Sequence, residues 1–211
     1  NLFKAMGLDY IYVDHGNAVG DLIEAFQSVK DSRKPVVVHI NTLKGKGYAP
    51  AEQNKEVWHY NGPFHIETGE PLYEMTEEDY SDISLNYLLD KMKKDPAVVA
   101  ITSGTPTVMG FTEDKRKEAG KQFVDVGIAE ETAVALASGI AANGGKPIYG
   151  VYSTFVQRTY DQIAQDLCIN NSPATIVTFC GSVYGMNDVT HLGLYDIPMM
   201  ANIPNLVYLA P

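Results

Sequence analysis

The sequence predicts an α/β protein whose main sheet is doubly wound and mostly parallel. After residue 79, apolar runs of strand length alternate with segments of helical periodicity, which is the pattern of such a sheet. Before residue 60, a single apolar run and an amphipathic segment indicate the tail of a second α/β domain. A stretch rich in Gly, Pro and acids separates the two. We therefore predict domains at residues 1–60 and 79–211, joined by a linker at 61–78.

Each predicted element has a local cause. Residues 21–26 are amphipathic with helical spacing, and residues 35–42 are a continuous apolar run typical of a buried parallel strand. Residues 79–95 carry Leu, Ile and Met at helical spacing, which predicts a helix. The same patterns predict strands at 97–102, 121–126, 147–151 and 175–178, and helices at 129–142 and 156–169.

The two ends of the chain suggest that it is part of a longer protein. Residues 1–7 have the pattern of a helix interior, and an apolar strand is predicted immediately before Ala210. Sixty residues with one clear strand and one helix are too few to close a doubly wound sheet. We therefore expect further sequence at both ends.

Composition and charge exclude several classes of function. The 211 residues are 45% hydrophobic and 20% charged, and the net charge of −10 without a basic run argues against nucleic acid as a partner. No apolar run approaches the roughly 18 residues of a membrane span. Cys168 and Cys180 lie in apolar segments, so we expect reduced core residues in a cytoplasmic protein. No Cys/His cluster has zinc spacing, and no metal ligand is predicted.

The most informative motif is DVGIAEE at residues 125–131. It follows a predicted strand and precedes a helix of small residues, so Glu130 lies at the corner between them. A carboxylate at the edge of an apolar layer is costly unless it has a partner or a task. The alternative is a structural acid, because a carboxylate in the first helical turn favours the helix dipole.

Three further motifs follow the same order as those of one enzyme family. KGKGYAPAE at 44–52, DVGIAEE at 125–131, YSTFVQRTYDQ at 152–162 and THLGLYD at 190–196 together resemble the 1-deoxy-D-xylulose-5-phosphate synthase family. These enzymes are transketolase-like and depend on thiamine diphosphate. The resemblance covers nearly the whole chain and identifies its larger part as a pyrimidine-binding domain.

The resemblance implies an activity and its cofactors. A homodimeric transferase would condense pyruvate, with loss of carbon dioxide, and glyceraldehyde 3-phosphate to 1-deoxy-D-xylulose 5-phosphate, a precursor of isoprenoids and thiamine. Thiamine diphosphate and Mg²⁺ would be bound, with the metal ligands outside this chain. On its own, the 211-residue chain would then be inactive.

The resemblance also implies roles for individual residues. Glu130 would share a proton with the aminopyrimidine ring, on which Phe155 would stack. His59 and His191 would be catalytic pocket histidines, and Tyr152, Arg158 and Asn187 would bind substrate. Gly45, Gly47 and Tyr48 would form a turn that contacts the cofactor.

Each of these roles has a structural alternative. Phe155 is equally typical of a core aromatic residue, and Arg158 of a surface salt bridge. A Gly-rich turn with a half-buried tyrosine is common without a ligand. A lone histidine, such as His59 or His191, is more often structural.

The chain departs from the family pattern in the substrate pocket. The family has Asp-Arg-Ala-Gly where this chain has TFCG at 178–181, so Phe179 replaces a pocket arginine that would hold the acceptor's phosphate. Asn187 stands at a position of a family acid, although the register around Tyr184 needs one extra residue and Asp188 could replace that acid. Glu131 replaces a glutamine. Two alternatives therefore remain open, namely a transketolase-like enzyme with another acceptor and a silent dimerisation or binding domain.

Overall fold

A computed structural model describes residues 1–73, 78–181 and 190–210. The chain divides into two compact units, Asn1–Thr76 and Glu77–Pro211, and each has its own parallel sheet.

The first unit is built on a two-stranded sheet. Strand β1 (Asp9–Val13) pairs in parallel with β2 (Val36–Ile40), and helix α2 (Val19–Val29) connects them and packs on the sheet. Strand β1 is not predicted from the sequence pattern, so this unit has one more strand than expected. The remaining helices of the unit are α1 (Leu2–Ala5), α3 (Ala49–Gln53) and a 3₁₀ helix (Val57–His59).

The predicted helix interior at residues 1–7 is wrong in extent. Helix α1 has four residues, and the side chain of Asn1 caps it by accepting a hydrogen bond of 2.9 Å from the Phe3 N–H. An asparagine oxygen at this position satisfies one of the amide groups that a helix start leaves without a partner.

Part of the predicted linker is folded against the first unit. Phe64 and Pro71 form an antiparallel bridge, and the Phe64 ring meets the Trp58 ring edge-on at 4.8 Å between centroids. Residues 63–72 therefore have a definite conformation on this unit.

The second unit contains a four-stranded sheet in the order β4-β3-β5-β6, with all strands parallel. Its α/β class confirms the prediction from the alternating pattern. The strands are β3 (Val98–Thr102), β4 (Phe123–Asp125), β5 (Lys146–Tyr152) and β6 (Thr175–Phe179). The α-helices are α4 (Tyr80–Lys94), α5 (Glu113–Ala119), α6 (Glu130–Ala142), α7 (Ser153–Val156), α8 (Tyr160–Gln162) and α9 (Asp196–Met200).

Short segments of other helix types complete the second unit. The predicted helix at 156–169 is part of a longer helical stretch that changes type from α7 through a 3₁₀ turn and α8 to a π-helix (Ile163–Ile169). Two further 3₁₀ helices, Pro106–Met109 and Gly120–Gln122, flank α5. The strand predicted before Ala210 is wrong, because residues 206–210 have no regular secondary structure.

Helices cover both faces of the second sheet. On β3, Ala100 faces a cluster formed with α4, whereas the next residue, Ile101, faces a cluster formed with α6. This alternation follows from the two-residue period of a strand, and it explains the continuous apolar run in the sequence. Helix α4 is fixed at its start by a reciprocal capping box between Asp79 and Asp82.

Candidate active site

The parallel sheet of the second unit gathers the predicted site residues at one edge. Glu130 is the first residue of α6 and follows β4, while residues 152–158 follow β5. Because all four strands run in the same direction, both segments leave the sheet at its carboxyl edge. Ligands of open α/β sheets bind at that edge.

The turn between β4 and α6 is held by Asp125. Its Oδ1 accepts hydrogen bonds of 2.9 Å from the backbone N–H groups of Gly104 and Gly127. Gly127 has a φ of +72°, a conformation that glycine adopts without strain. Asp125 therefore ties the ends of two neighbouring strands together and fixes where α6 begins.

Glu130 is buried and incompletely bonded. Its exposure is 3%, and its Oε2 has no hydrogen-bond partner among the described residues. The Arg158 Nη1 lies 3.4 Å from that oxygen, which is an ion-pair distance but lacks hydrogen-bond geometry. The guanidinium charge therefore attracts this oxygen, but the oxygen remains able to accept a hydrogen bond. A buried carboxylate oxygen without a donor is the feature expected where a ligand brings one.

Arg158 also binds the neighbouring acid. Its Nε donates a hydrogen bond of 3.1 Å to Glu131 Oε1. The backbone N–H of Glu131 itself and, to a smaller extent, Arg158 lower the pKa of the Glu131 carboxyl, while desolvation opposes them. The salt bridge that was the alternative for Arg158 is thus present, and phosphate binding by Arg158 stays a prediction.

Three rings form a cluster beside β5. Tyr152, Phe155 and His191 meet edge to face, with centroids 5.7 Å apart for Tyr152 and Phe155 and 5.2 Å for Phe155 and His191. Burial raises the pKa of Tyr152, with a smaller contribution from Cys180. Phe155 is half-buried and also packs on the α6 side of the core, so it has both a core contact and a partly open surface.

The segment that carries His191 is tied to α7. Thr154 Oγ1 donates to the Thr190 carbonyl at 3.0 Å, and Thr190 Oγ1 lies 2.8 Å from His191 Nδ1. Five of the predicted residues therefore form two groups. Glu130 contacts Arg158, and the rings of Tyr152, Phe155 and His191 contact one another. Asn187 lies outside the described residues.

The Gly-rich turn of the first unit is tightly built. Gly45 and Gly47 have φ values of +81° and +97°. A Cβ at Gly45 would lie 2.7 Å from Ala51 Cβ, so a side chain is excluded there. Tyr48 is half-buried between Trp58 and Phe64, and its hydroxyl donates to the Ile66 carbonyl at 3.0 Å.

His59 lies in the same unit and is exposed. Its Nδ1 contacts the ammonium group of Lys44, which begins the Gly-rich turn. The turn and His59 are therefore joined within the first unit, which sequence separation alone does not indicate.

Surface depressions occur at both ends of the strands of the first unit. The larger, about 860 Å³, is lined by residues including Lys4, Gly7 and Gln27 and lies away from the carboxyl ends of the strands. The smaller, about 670 Å³, lies at those ends, and we consider it the relevant one because parallel sheets bind ligands there. Its lining includes Asp14, His15, Gly16, Asn17, Lys46 and Lys55.

Asn17 also lines this depression, and it is not among the residues predicted from the sequence. Its side chain accepts from the Leu43 N–H at 2.7 Å and also donates to the Leu43 carbonyl at 3.4 Å. It thereby joins the loops after β1 and β2. The sequence signal for Asn17 is its position just after Asp14-His15-Gly16, in the loop that follows β1. This signal can be used only when β1 itself is predicted.

Phe179 belongs to the core. It is 9% exposed and is part of the cluster that contains Leu85 and Met109, and it pairs with Tyr152 across β5 and β6. Cys168 is buried as expected, but Cys180 is exposed, so the prediction that both cysteines are core residues is wrong for Cys180. It follows the end of β6, where the chain leaves the sheet.

Within the three described ranges, no helix is long and apolar enough to cross a membrane. The same part of the chain has no group of three or more His, Cys, Asp or Glu side chains arranged to hold a metal ion.

Comparison with known proteins gives consistent results. Residues 77–211 match the family model described as transketolase, pyrimidine binding domain. The whole chain is 40% identical to 1-deoxy-D-xylulose-5-phosphate synthase of Natranaerobius thermophilus and 39% identical to 1-deoxy-D-xylulose-5-phosphate synthase 1 of Geobacter sulfurreducens. It covers 33% of each, so the chain spans about a third of the length of these relatives.

A solved structure is similar in fold. Transketolase from Campylobacter jejuni superimposes with a TM-score of 0.54 at 14% identity, covering 96% of this chain and 42% of that chain. At this identity the likeness concerns the fold alone.

Proposed function

The chain belongs to the family of the transketolase pyrimidine-binding domain, and from this premise we propose that Glu130 binds the aminopyrimidine ring of thiamine diphosphate. The observation that carries the proposal is the buried Glu130 Oε2 without a hydrogen-bond donor. A protonated ring nitrogen would supply that donor and would remove the cost of the unsatisfied oxygen. The residues present therefore fit the cofactor.

Thiamine diphosphate, when bound, supplies a nucleophilic carbon and accepts the electrons that decarboxylation releases. The chain's own residues would bind the cofactor and orient it. Glu130 would accept at Oε2 the hydrogen bond of a protonated ring nitrogen and share its proton, and the burial of Glu130 keeps competing water away. The ring of Phe155 offers a flat surface to a heterocycle. His191, whose ring meets the Phe155 ring edge-on, would donate a hydrogen bond to a substrate oxygen or accept one from it.

In the first unit, we propose that the Gly-rich turn approaches the cofactor through its backbone. Gly45 and Gly47 lack side chains that would keep a ligand away, and Tyr48 shapes the turn through its contacts with Trp58 and Phe64. His59, which contacts Lys44 at the start of this turn, would be a catalytic histidine. The Mg²⁺ ligands would lie in sequence outside this chain.

For the complete protein we propose the reaction of its similar proteins. It would condense pyruvate, with loss of carbon dioxide, and glyceraldehyde 3-phosphate to 1-deoxy-D-xylulose 5-phosphate. Identity of 40% over the whole chain supports this substrate pair over others in the transketolase group. Tyr152, Arg158 and Asn187 would bind substrate, and the protein would act as a homodimer.

One observation favours a second candidate. Phe179 is a buried core residue at the position of a pocket arginine in the family pattern, so this chain offers no cation there to an acceptor's phosphate. A transketolase-like enzyme with an unphosphorylated acceptor is therefore the alternative.

Product analysis distinguishes these candidates. The complete protein would be incubated with thiamine diphosphate, Mg²⁺ and pyruvate, and with either glyceraldehyde 3-phosphate or glyceraldehyde. We expect 1-deoxy-D-xylulose 5-phosphate from the phosphorylated aldehyde. Product from glyceraldehyde alone would support the second candidate. Failure of calorimetry to detect thiamine diphosphate binding would refute both and would favour a silent binding domain.

A further inference from the structure

The segment at residues 190–196, which carries His191, is held at both of its ends. At its first residue, the backbone carbonyl accepts a hydrogen bond of 3.0 Å from the Oγ1 of Thr154, which is in α7. At its last residue, the carboxylate of the buried Asp196 accepts a hydrogen bond of 3.0 Å from the Tyr208 hydroxyl. The backbone around His191 is therefore tied to elements outside the segment.

Between these ends, Gly193 approaches its neighbours very closely. A Cβ at Gly193 would lie 2.7 Å from Gly181 Cα and 2.7 Å from Ser153 Oγ. Both distances are well below the optimum of about 3.5–4.0 Å for non-bonded carbon atoms. Ser153 is completely buried, and the atom of Gly181 is backbone, so neither neighbour can easily move aside. The missing side chain at 193 is thus what allows the segment to lie this close to α7 and to the end of β6.

Helix α7 supplies both the tether of this segment and the ring surface that its histidine contacts. The His191 ring lies 5.2 Å from the Phe155 ring and 5.8 Å from the Tyr152 ring, between centroids. Thr154 is the residue just before Phe155, and it binds the carbonyl of the peptide that joins Thr190 to His191. A bond to that peptide fixes the backbone from which the His191 side chain leaves.

We propose that Thr154 and Gly193 are positioning residues for His191, the first through its hydrogen bond and the second through the absence of a side chain. This inference rests on the proposed function, in which Phe155 and His191 lie beside the cofactor ring and the substrate. Thr154 and Gly193 act only through the placement of His191. Their substitution should therefore impair the reaction of pyruvate and spare the binding of thiamine diphosphate.

Thr154→Val keeps the branched shape of the side chain and removes the donor. In the complete protein we expect kcat/KM for pyruvate to fall about fivefold, the effect of losing one neutral hydrogen bond. Calorimetry in the presence of Mg²⁺ should show thiamine diphosphate binding within about twofold of the parent. Thr154→Ser keeps the hydroxyl and should bring kcat/KM back to within about twofold of the parent. A merely structural role in α7 would weaken both measurements, because α7 also carries Phe155.

Gly193→Ala should lower kcat/KM about tenfold or more, because the added methyl group forces the segment away from its neighbours. A crystal structure of this variant should show the His191 ring displaced from the Phe155 ring. Gly181→Ala is the matched control. Gly181 lies against Gly193, yet a Cβ at 181 would meet no atom of the described residues closer than 3.8 Å. Its substitution should leave kcat/KM within about twofold of the parent.

His191→Ala separates this inference from the proposed function. If it lowers kcat/KM about 100-fold while Thr154→Val and Gly193→Ala both match the parent, the positioning role alone is refuted. Equal losses in Thr154→Val and Thr154→Ser would also overturn it. If His191→Ala retains the activity of the parent, or if the parent does not bind thiamine diphosphate, the proposed function fails and the positioning role falls with it.

Discussion

The phenolic oxygen of Tyr149 lies 2.8 Å from the hydroxyl oxygen of Ser103, and both side chains are buried. Tyr149 is in the middle of β5 and Ser103 directly follows β3, so the bond joins two neighbouring strands. Burial strongly raises the pKa of Tyr149, the bond to Ser103 lowers it, and the charge of Glu130 raises it further. The tyrosine is therefore neutral, and each of the two buried hydroxyl groups is the hydrogen-bond partner of the other.

Tyr149→Phe should destabilise the protein by about 1–3 kcal/mol, because it leaves the buried Ser103 hydroxyl without its partner. The ring is retained, so no cavity forms. Adding Ser103→Ala should recover part of the loss, since neither polar group then remains. Urea unfolding of the three variants measures this, and a Tyr149→Phe variant as stable as the parent would contradict the role of the bond.

Stability should fall in alkaline solution, and Tyr149 should contribute to that fall. Its folded-state pKa is raised above the unfolded value of about 10. The stabilisation is therefore fully present below about pH 10 and is lost as the pH rises, because only the unfolded chain then releases the proton. Unfolding free energies between about pH 8 and 11 should decline more steeply for the parent than for Tyr149→Phe. Parallel curves would show that other groups, such as Tyr152, cause the decline.

The fold class could be predicted because long elements carry strong patterns. Helix α4 has apolar residues at helical spacing and a capping box, and β3 is apolar on both faces. The short strand β1 was missed because five residues with mixed burial give little periodicity. The apolar run at 206–210 predicts a strand that the structure does not have, because an apolar pattern does not ensure burial. Val207 and Leu209 are each 80% exposed and belong to no strand.

The candidate site was only partly predictable. A carboxylate at a strand-to-helix corner marks Glu130 as a candidate, but the local sequence leaves a structural acid open as the alternative. The bond between Arg158 and Glu131 spans 27 residues and depends on how α6 and the segment after β5 pack. Likewise, the link from Asn17 to Leu43 requires β1 and β2 to be neighbours. Local patterns contain no information about such contacts.

Glu130→Gln should abolish catalysis in the complete protein without unfolding it. An amide keeps the size of the side chain but cannot share the proton of the ring nitrogen, as we propose for Oε2. A loss of at least about 100-fold is expected, the lower end of a general acid–base contribution. Turnover with pyruvate, measured beside circular dichroism as a check of folding, decides the matter. Activity within about twofold of the parent would refute the assignment.

Phe179→Arg should destabilise the second unit rather than create an acceptor-binding site. Phe179 is 9% exposed among apolar side chains, so an arginine there must bury its charge or displace its neighbours. Either costs on the order of 3 kcal/mol or more in the free energy of unfolding. Phe179→Leu is the control, because an apolar replacement of similar volume should cost less than about 1.5 kcal/mol. Urea unfolding compares the two. If Phe179→Arg proved as stable as Phe179→Leu and lowered the KM for glyceraldehyde 3-phosphate, the end of β6 would have room for a cation facing the acceptor, and the second candidate function would lose its support.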